Sequence, residues 1–197
     1  MAILIIVLLI FLAIVGLGVF FGAPFVPTRK IWIRDALLLA EISQSDVVVD
    51  LGSGDGAVLR EALKSGAKKV IGYEINPILV FISRLKLRKF NKISRKISAP
   101  KGNTSSPKSD QKIPASDKFL SRKFEIKLAN FFRETLPPDT TVIYLFQIQS
   151  IANKIPAWLR VQRKNLRAKK IKVITFGFEL PGETIVRENH GMILYEF

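Results

Sequence analysis

Asp50, Gly52, Gly54, Gly56 and Glu74 are the residues whose types and spacing point most directly to chemistry. Four of them lie in Val47-Val-Val-Asp-Leu-Gly-Ser-Gly-Asp-Gly56, and Glu74 closes a second short apolar run. Three branched residues followed by an acid and three glycines read as a buried strand that breaks into a tight turn. Glycine is required where the backbone takes positive φ, or where it lies against a ligand with no Cβ between. An acid at the end of the next strand sits where such folds hold the two hydroxyls of a ribose. The pattern is that of a nucleotide-cofactor site.

The bulk composition narrows the alternatives. The 197 residues have room for one membrane segment and one compact domain. Cysteine is absent and His190 is the sole histidine, which removes thiolate zinc sites, cysteine nucleophiles and most Ser/His/Asp chemistry; no metal site is expected. The net charge of +15 is uneven. Arg84 to Lys127 holds fourteen basic and three acidic residues, and Arg160 to Lys172 adds seven basic residues and no acid. Such a surface attracts anionic lipid or nucleic acid without specifying either, and a solvated basic face near a membrane is the simpler reading.

The elements that must position these residues follow from patterning. Ala2 to Gly22 carries no charged side chain, enough as a helix to cross a hydrocarbon core of about 30 Å. Nothing basic precedes it and Phe21 suits a cleavage site poorly, so an uncleaved anchor is favoured over a signal peptide. Arg29, Lys30 and Arg34 follow directly, which predicts a single-pass membrane protein with its main domain in the cytoplasm. The expected organisation is an anchor over 1–23, a connector and helix over 24–45, and a cofactor domain over 46–197. Pro24-Phe-Val-Pro27 is a stiff connector, and Thr28 is the expected N-cap of the next helix.

Strands are expected over Val47 to Leu51, Lys69 to Glu74, Phe124 to Ala129, Thr141 to Phe146 and Ile171 to Phe176. Helices are expected over Ala57 to Ser65, Pro77 to about Lys89 (capped by Asn76) and Gln149 to about Leu166. This rhythm predicts an α/β fold with a parallel sheet covered on both faces. Thr184 to Arg187 and Met192 to Phe197 flank Asn189-His-Gly191, a hairpin turn that would close the sheet antiparallel. Ser94 to Lys118 is rich in Ser, Lys, Pro, Gly and Asn and reads as a flexible basic insertion, with a tether for an anionic partner as the second reading.

Gly52-x-Gly54-x-x-Ala57 also fits a dinucleotide fingerprint, so other residues must decide the cofactor. Asp50 places a carboxylate where it can meet the ammonium of a bound amino-acid moiety, which NAD lacks; the plain alternative is a turn former. No stretch remains for a separate dehydrogenase substrate domain. Asn130 follows the third strand, where an amide can pair with adenine or be an ordinary loop residue. Together these favour S-adenosyl-L-methionine.

Val49-Asp-Leu-Gly-Ser-Gly-Asp-Gly56 with Gly72-Tyr-Glu-Ile-Asn-Pro77 resembles the class I S-adenosylmethionine-dependent methyltransferases. With Pro24-Phe-Val-Pro27 upstream, the chain is similar to the membrane-anchored protein-lysine methyltransferases that act on the ATP synthase c-subunit or the adenine nucleotide translocase, and to their prokaryotic relatives. The resemblance implies a Rossmann-like methyltransferase sheet after one transmembrane helix. It implies a cofactor site of Asp50, Gly52, Ser53, Gly54, Asp55, Gly56, Glu74, Ile75, Asn76, Asn130 and Phe131. It implies a membrane-protein lysine as acceptor, with Phe25, Pro27 and Thr28 on the substrate side.

The chain departs from the family pattern at two positions. Ala57 replaces a usual basic residue and Asn130 a usual acid. Tyr144-Leu-Phe-Gln147 lacks the Asn-Pro-Pro-aromatic motif of base-modifying enzymes, which disfavours nucleic acid as substrate. Tyr144 and Gln147 are the candidates for orienting the amine. An RNA or small-acceptor methyltransferase, and a non-catalytic membrane protein of the same fold, are the rival expectations.

Overall fold

The computed structural model describes Met1, residues 3–6, residue 9, and residues 29–98, 123–146 and 149–197. In chain order these form α1 (Lys30–Leu39), β1 (Val47–Leu51), α2 (Ala57–Lys64), β2 (Lys69–Glu74), α3 (Pro77–Ser98), β3 (Lys123–Leu128) and a 3-10 turn (Phe131–Arg133). There follow β4 (Val142–Leu145), α4 (Gln149–Ala152), α5 (Ile155–Arg163), β5 (Lys172–Phe176), β6 (Arg187–Asn189) and β7 (Met192–Glu196).

One seven-stranded sheet runs in the order β3-β2-β1-β4-β5-β7-β6. The first five strands are parallel, and β7 pairs antiparallel with both β5 and β6. The expected mostly parallel sheet with an antiparallel closing hairpin is therefore present. β1 is central and buried along its whole length, which is why it is a run of branched residues without alternation. Parity of position divides the core. Val48, Val70, Val142, Tyr144 and Ile174 meet α1, α2 and α3 on one face. Val49, Ile71, Ile143, Val173 and Ile193 meet α5 on the other.

Helix α1 buries Ile33, Ala36, Leu37 and Ala40, one stripe at i, i+3, i+4 and i+7. Its N-cap is Arg29, extended and without a side-chain cap bond, and Thr28 lies outside the described residues. In α3 the expected cap is present: Asn76 Oδ1 accepts from Ile78 N at 2.9 Å, with Pro77 first in the helix.

Three boundaries differ from expectation. α3 continues to Ser98, into the expected insertion, because no residue between Phe90 and Ser98 breaks a helix and the next proline is Pro100. The rest of that insertion, 99–118, lies outside the described residues. The single helix expected from Gln149 is divided, since Pro156 has no N–H to donate and restarts a helix at Ile155. The first hairpin strand is Arg187–Asn189 rather than Thr184 to Arg187. His190 (φ 49°) and Gly191 (φ 76°) form the two left-handed positions of a type I′ turn, which pairs Asn189 with Met192 and so fixes the register.

Among the described residues no helix is long and apolar enough to cross a membrane. Most of the apolar run from Ala2 to Gly22 lies outside them.

Candidate active site

The carboxyl ends of β1 and β2 are bound together by the turn between β1 and α2. Gly52 N and Ser53 N both donate to Tyr73 O, at 2.8 and 2.9 Å, which folds the turn back across the end of β2. Gly52, Gly54 and Gly56 have φ of 98°, 52° and 75°, left-handed values that explain three glycines in five positions. A fourth glycine belongs to the same construction. A Cβ on Gly72 would lie 2.5 Å from Ser53 Oγ and 2.8 Å from Leu59 Cδ1, so the turn seats flat on β2 only with glycine beneath it. A lone glycine inside a strand is the sequence signal for such close approach.

Glu74 is the clasp. Its Oε2 accepts from Gly54 N and its Oε1 from Asn76 N, both at 2.8 Å, while its own carbonyl accepts from Ala129 N at 2.9 Å. The buried carboxylate thereby joins the glycine turn to the start of α3, and the backbone of the same residue holds the end of β3. Each carboxylate oxygen keeps a second lone pair for a hydroxyl donor. The end of β2 is where sequence reasoning placed a ribose, and Glu74 faces that turn rather than away from it.

The electrostatics are acidic within a strongly basic chain. Asp50 is buried, and desolvation pushes its carboxyl well above the usual range, with Glu74 and Asp55 adding like charge. Among the described residues no hydrogen bond reaches its carboxylate. Asp55 behaves differently. Burial works to raise its pKa, but Lys86 Nζ at 2.5 Å and the charge of Arg60 hold it below the ordinary value. Its Oδ1 also accepts from Ala57 N at 3.1 Å, so the side chain starts α2. The pairing of Asp55 with Lys86, far along the chain on α3, had no local signal in the sequence.

The remaining expected residues surround this edge. Asn76 is buried and Ile75 half-buried at the end of β2. Asn130 is exposed, and its Oδ1 caps the 3-10 turn by accepting from Phe132 N at 3.1 Å, beside the buried Phe131. Tyr144 pairs in register with Asp50 and is fully buried. Desolvation, and then the charge of Asp50, push its phenol far up, so it is neutral at any physiological pH. Gln147, Phe25, Pro27 and Thr28 lie outside the described residues.

These residues fit S-adenosylmethionine. A buried carboxylate raised by desolvation is stabilised by an arriving cation, and an amino-acid ammonium is one. The Ser53 hydroxyl is buried beneath the turn, over Gly72, without a hydrogen-bond partner. Gly52, at the start of the turn, is open to solvent.

No family model matches the chain. A protein-lysine N-methyltransferase of Saccharolobus islandicus is 30% identical over 127 residues, 64% of this chain and 78% of that protein. An ATP synthase c-subunit lysine N-methyltransferase of Xenopus laevis is 41% identical over 63 residues, and the match spans 32% of this chain and only 27% of that protein. Among solved structures, an RNA methyltransferase from Salinibacter ruber in complex with S-adenosyl-L-homocysteine superposes with a TM-score of 0.62 at 23% identity. That match covers 87% of this chain and 92% of the other, a likeness of fold.

Proposed function

We propose, because this chain belongs to the protein-lysine N-methyltransferase family, that it methylates the ε-amine of a lysine in a membrane protein. The chain is an S-adenosylmethionine-dependent methyltransferase. The observation that carries the reading is the Glu74 clasp beside the buried Asp50, on an edge built from glycine main chain. Glu74 then meets the ribose hydroxyls, Asp50 the amino-acid ammonium, and Ser53 with the turn backbone the rest of that moiety. Ile75 and Phe131 flank the adenine, with Asn130 at its edge. When bound, S-adenosylmethionine supplies a methyl group on a sulfonium, displaced directly onto nitrogen.

The chain's own task is alignment and exclusion of water. Positioning contributes on the order of 7–11 kcal/mol in favourable systems. An acceptor lysine, with a reference pKa of about 10.4, must lose its proton first. Desolvation beside a like charge lowers that pKa, so no histidine base is needed. Tyr144 is fully buried with its hydroxyl unpartnered among the described residues, which leaves Gln147 as the candidate to orient the amine.

The apolar run from Ala2 to Gly22, with Arg29, Lys30 and Arg34 after it, supports a single-pass anchor and a cytoplasmic domain. Sharing one bilayer with the acceptor raises effective concentration without any new contact. The Xenopus relative is named for the ATP synthase c-subunit, which supports an acceptor of the same membrane-protein class here.

The test is transfer of isotopically labelled methyl from S-adenosylmethionine to membranes of cells lacking the gene. Label in a membrane protein, recovered as methyl-lysine after hydrolysis, is the expected result. Label in RNA, or none, would overturn the assignment of the acceptor.

A further inference from the structure

Three aromatic rings stand where the sheet face that carries Asp50 emerges beyond the ends of β4 and β5. Asp50, Tyr144 and Ile174 lie side by side in register on that face. Two residues further along each strand the same face presents Phe146 and Phe176. Their ring centroids are 5.1 Å apart with planes 29° from parallel. Trp32, from α1, closes the bracket with its centroid 5.3 Å from Phe176, tilted by 59°. Tyr144 and Met192 are buried below, while Phe146 and Phe176 are half-buried and Trp32 is 36% exposed. A cation already sits on this bracket: the Arg29 guanidinium lies 5.7 Å above the Trp32 ring.

We propose that Trp32, Phe146 and Phe176 form the acceptor port, which takes a lysine side chain and holds its ammonium, or the methylammonium formed from it, against the ring faces in place of Arg29. The proposal rests on the methyltransferase reading and names the acceptor side of that site. Its chemistry suits the reaction. A carboxylate at this position would stabilise the ammonium and oppose loss of the proton, because opposite charge favours the charged form. Aromatic faces also attract the cation, but more weakly than a carboxylate would, while stripping from it the water that favours the charged form, and they take methylated ammonium as well as the bare ion. Before transfer the ε-nitrogen gives up one proton. Its lone pair then forms the N–CH3 bond as the C–S bond of the donor breaks, leaving S-adenosylhomocysteine. A port that holds partly methylated lysine equally well lets the same side chain return for a further methyl group.

The decisive experiment is calorimetric titration of the full-length, detergent-solubilised protein, saturated with S-adenosylhomocysteine, with acetyl-Nε-trimethyl-lysine methylamide. Acetyl-norleucine methylamide serves as an uncharged control. Saturable binding of the trimethyl-lysine probe and at least tenfold weaker binding of norleucine are expected. Trp32→Leu should weaken the probe by roughly three- to thirtyfold while leaving S-adenosylmethionine binding in place. Phe176→Leu is read the same way should the first variant misfold. Equal binding of norleucine, or unchanged probe affinity in a folded variant, would overturn the port. Loss of the port with S-adenosylmethionine still bound refutes this proposal alone, whereas failure of wild type to bind S-adenosylmethionine refutes the methyltransferase reading.

Discussion

Replacing Glu74 separates its tie to the glycine turn from its contact with a ligand. In the folded chain its two carboxylate oxygens accept the N–H groups of Gly54 and Asn76, both at 2.8 Å and buried. Glu74→Ala leaves both donors without an acceptor. Each such loss costs about 1–3 kcal/mol, so the sum is roughly 2–6 kcal/mol, with the lower end applying where water enters the vacated space. Against a total stability of roughly 5–15 kcal/mol this is a large fraction. Glu74→Gln keeps one carbonyl acceptor and turns an amide donor toward the other N–H, so about half the loss is expected.

Urea denaturation of each variant reads the difference directly. At a slope of roughly 2 kcal/mol per M, Glu74→Ala should move the midpoint by about 1–3 M and Glu74→Gln by about half of that. Titration with S-adenosylmethionine on the same samples should show both variants weakened, alanine more than glutamine. A Glu74→Ala midpoint within about 0.2 M of wild type, with cofactor affinity intact, would refute the claim that this carboxylate organises the site.

Other perturbations test neighbouring parts. Gly72→Ala puts a methyl 2.5 Å from Ser53 Oγ and 2.7 Å from Ser53 Cβ, within a turn that cannot withdraw. It should cost about 1–3 kcal/mol in thermal or urea unfolding and loosen cofactor binding further. Asp50 is raised in the folded chain above its unfolded value of about 3.9, so its protonated form favours folding below that value and the contribution disappears as pH rises through the folded pKa. Binding of an ammonium needs the ionised form, so S-adenosylmethionine affinity should climb with pH, by up to tenfold per pH unit below the folded pKa, and Asp50→Asn should flatten the profile in calorimetry. Asn130→Asp retains an oxygen to cap Phe132 and restores the acid usual in the resembling family, so it should tighten S-adenosylmethionine binding with unfolding unchanged.

Much of this was legible because local chemistry and tertiary role coincide. Val47-Val-Val-Asp-Leu-Gly-Ser-Gly states both a doubly buried strand and its breakage, and the structure needs both. Asn76-Pro77 and Asn189-His-Gly191 carry their cap and turn in the residues themselves. What was not legible depends on partners distant in sequence. Asp55 reads as one more turn residue, yet Lys86 holds its charge. Trp32 reads as one apolar residue of an amphipathic helix, and only the packing of α1 beside β5 brings it onto Phe176. The helix break at Pro156 was present in the sequence and was outweighed by an apolar periodicity that continues across it.

The most direct measurement is calorimetric titration of the full-length protein with S-adenosylmethionine and, separately, with NAD. One saturable site per chain for S-adenosylmethionine, weakened by Glu74→Ala, and no heat from NAD are the predicted results. Absence of saturable S-adenosylmethionine binding, or NAD binding at the same site, would contradict the account at its root.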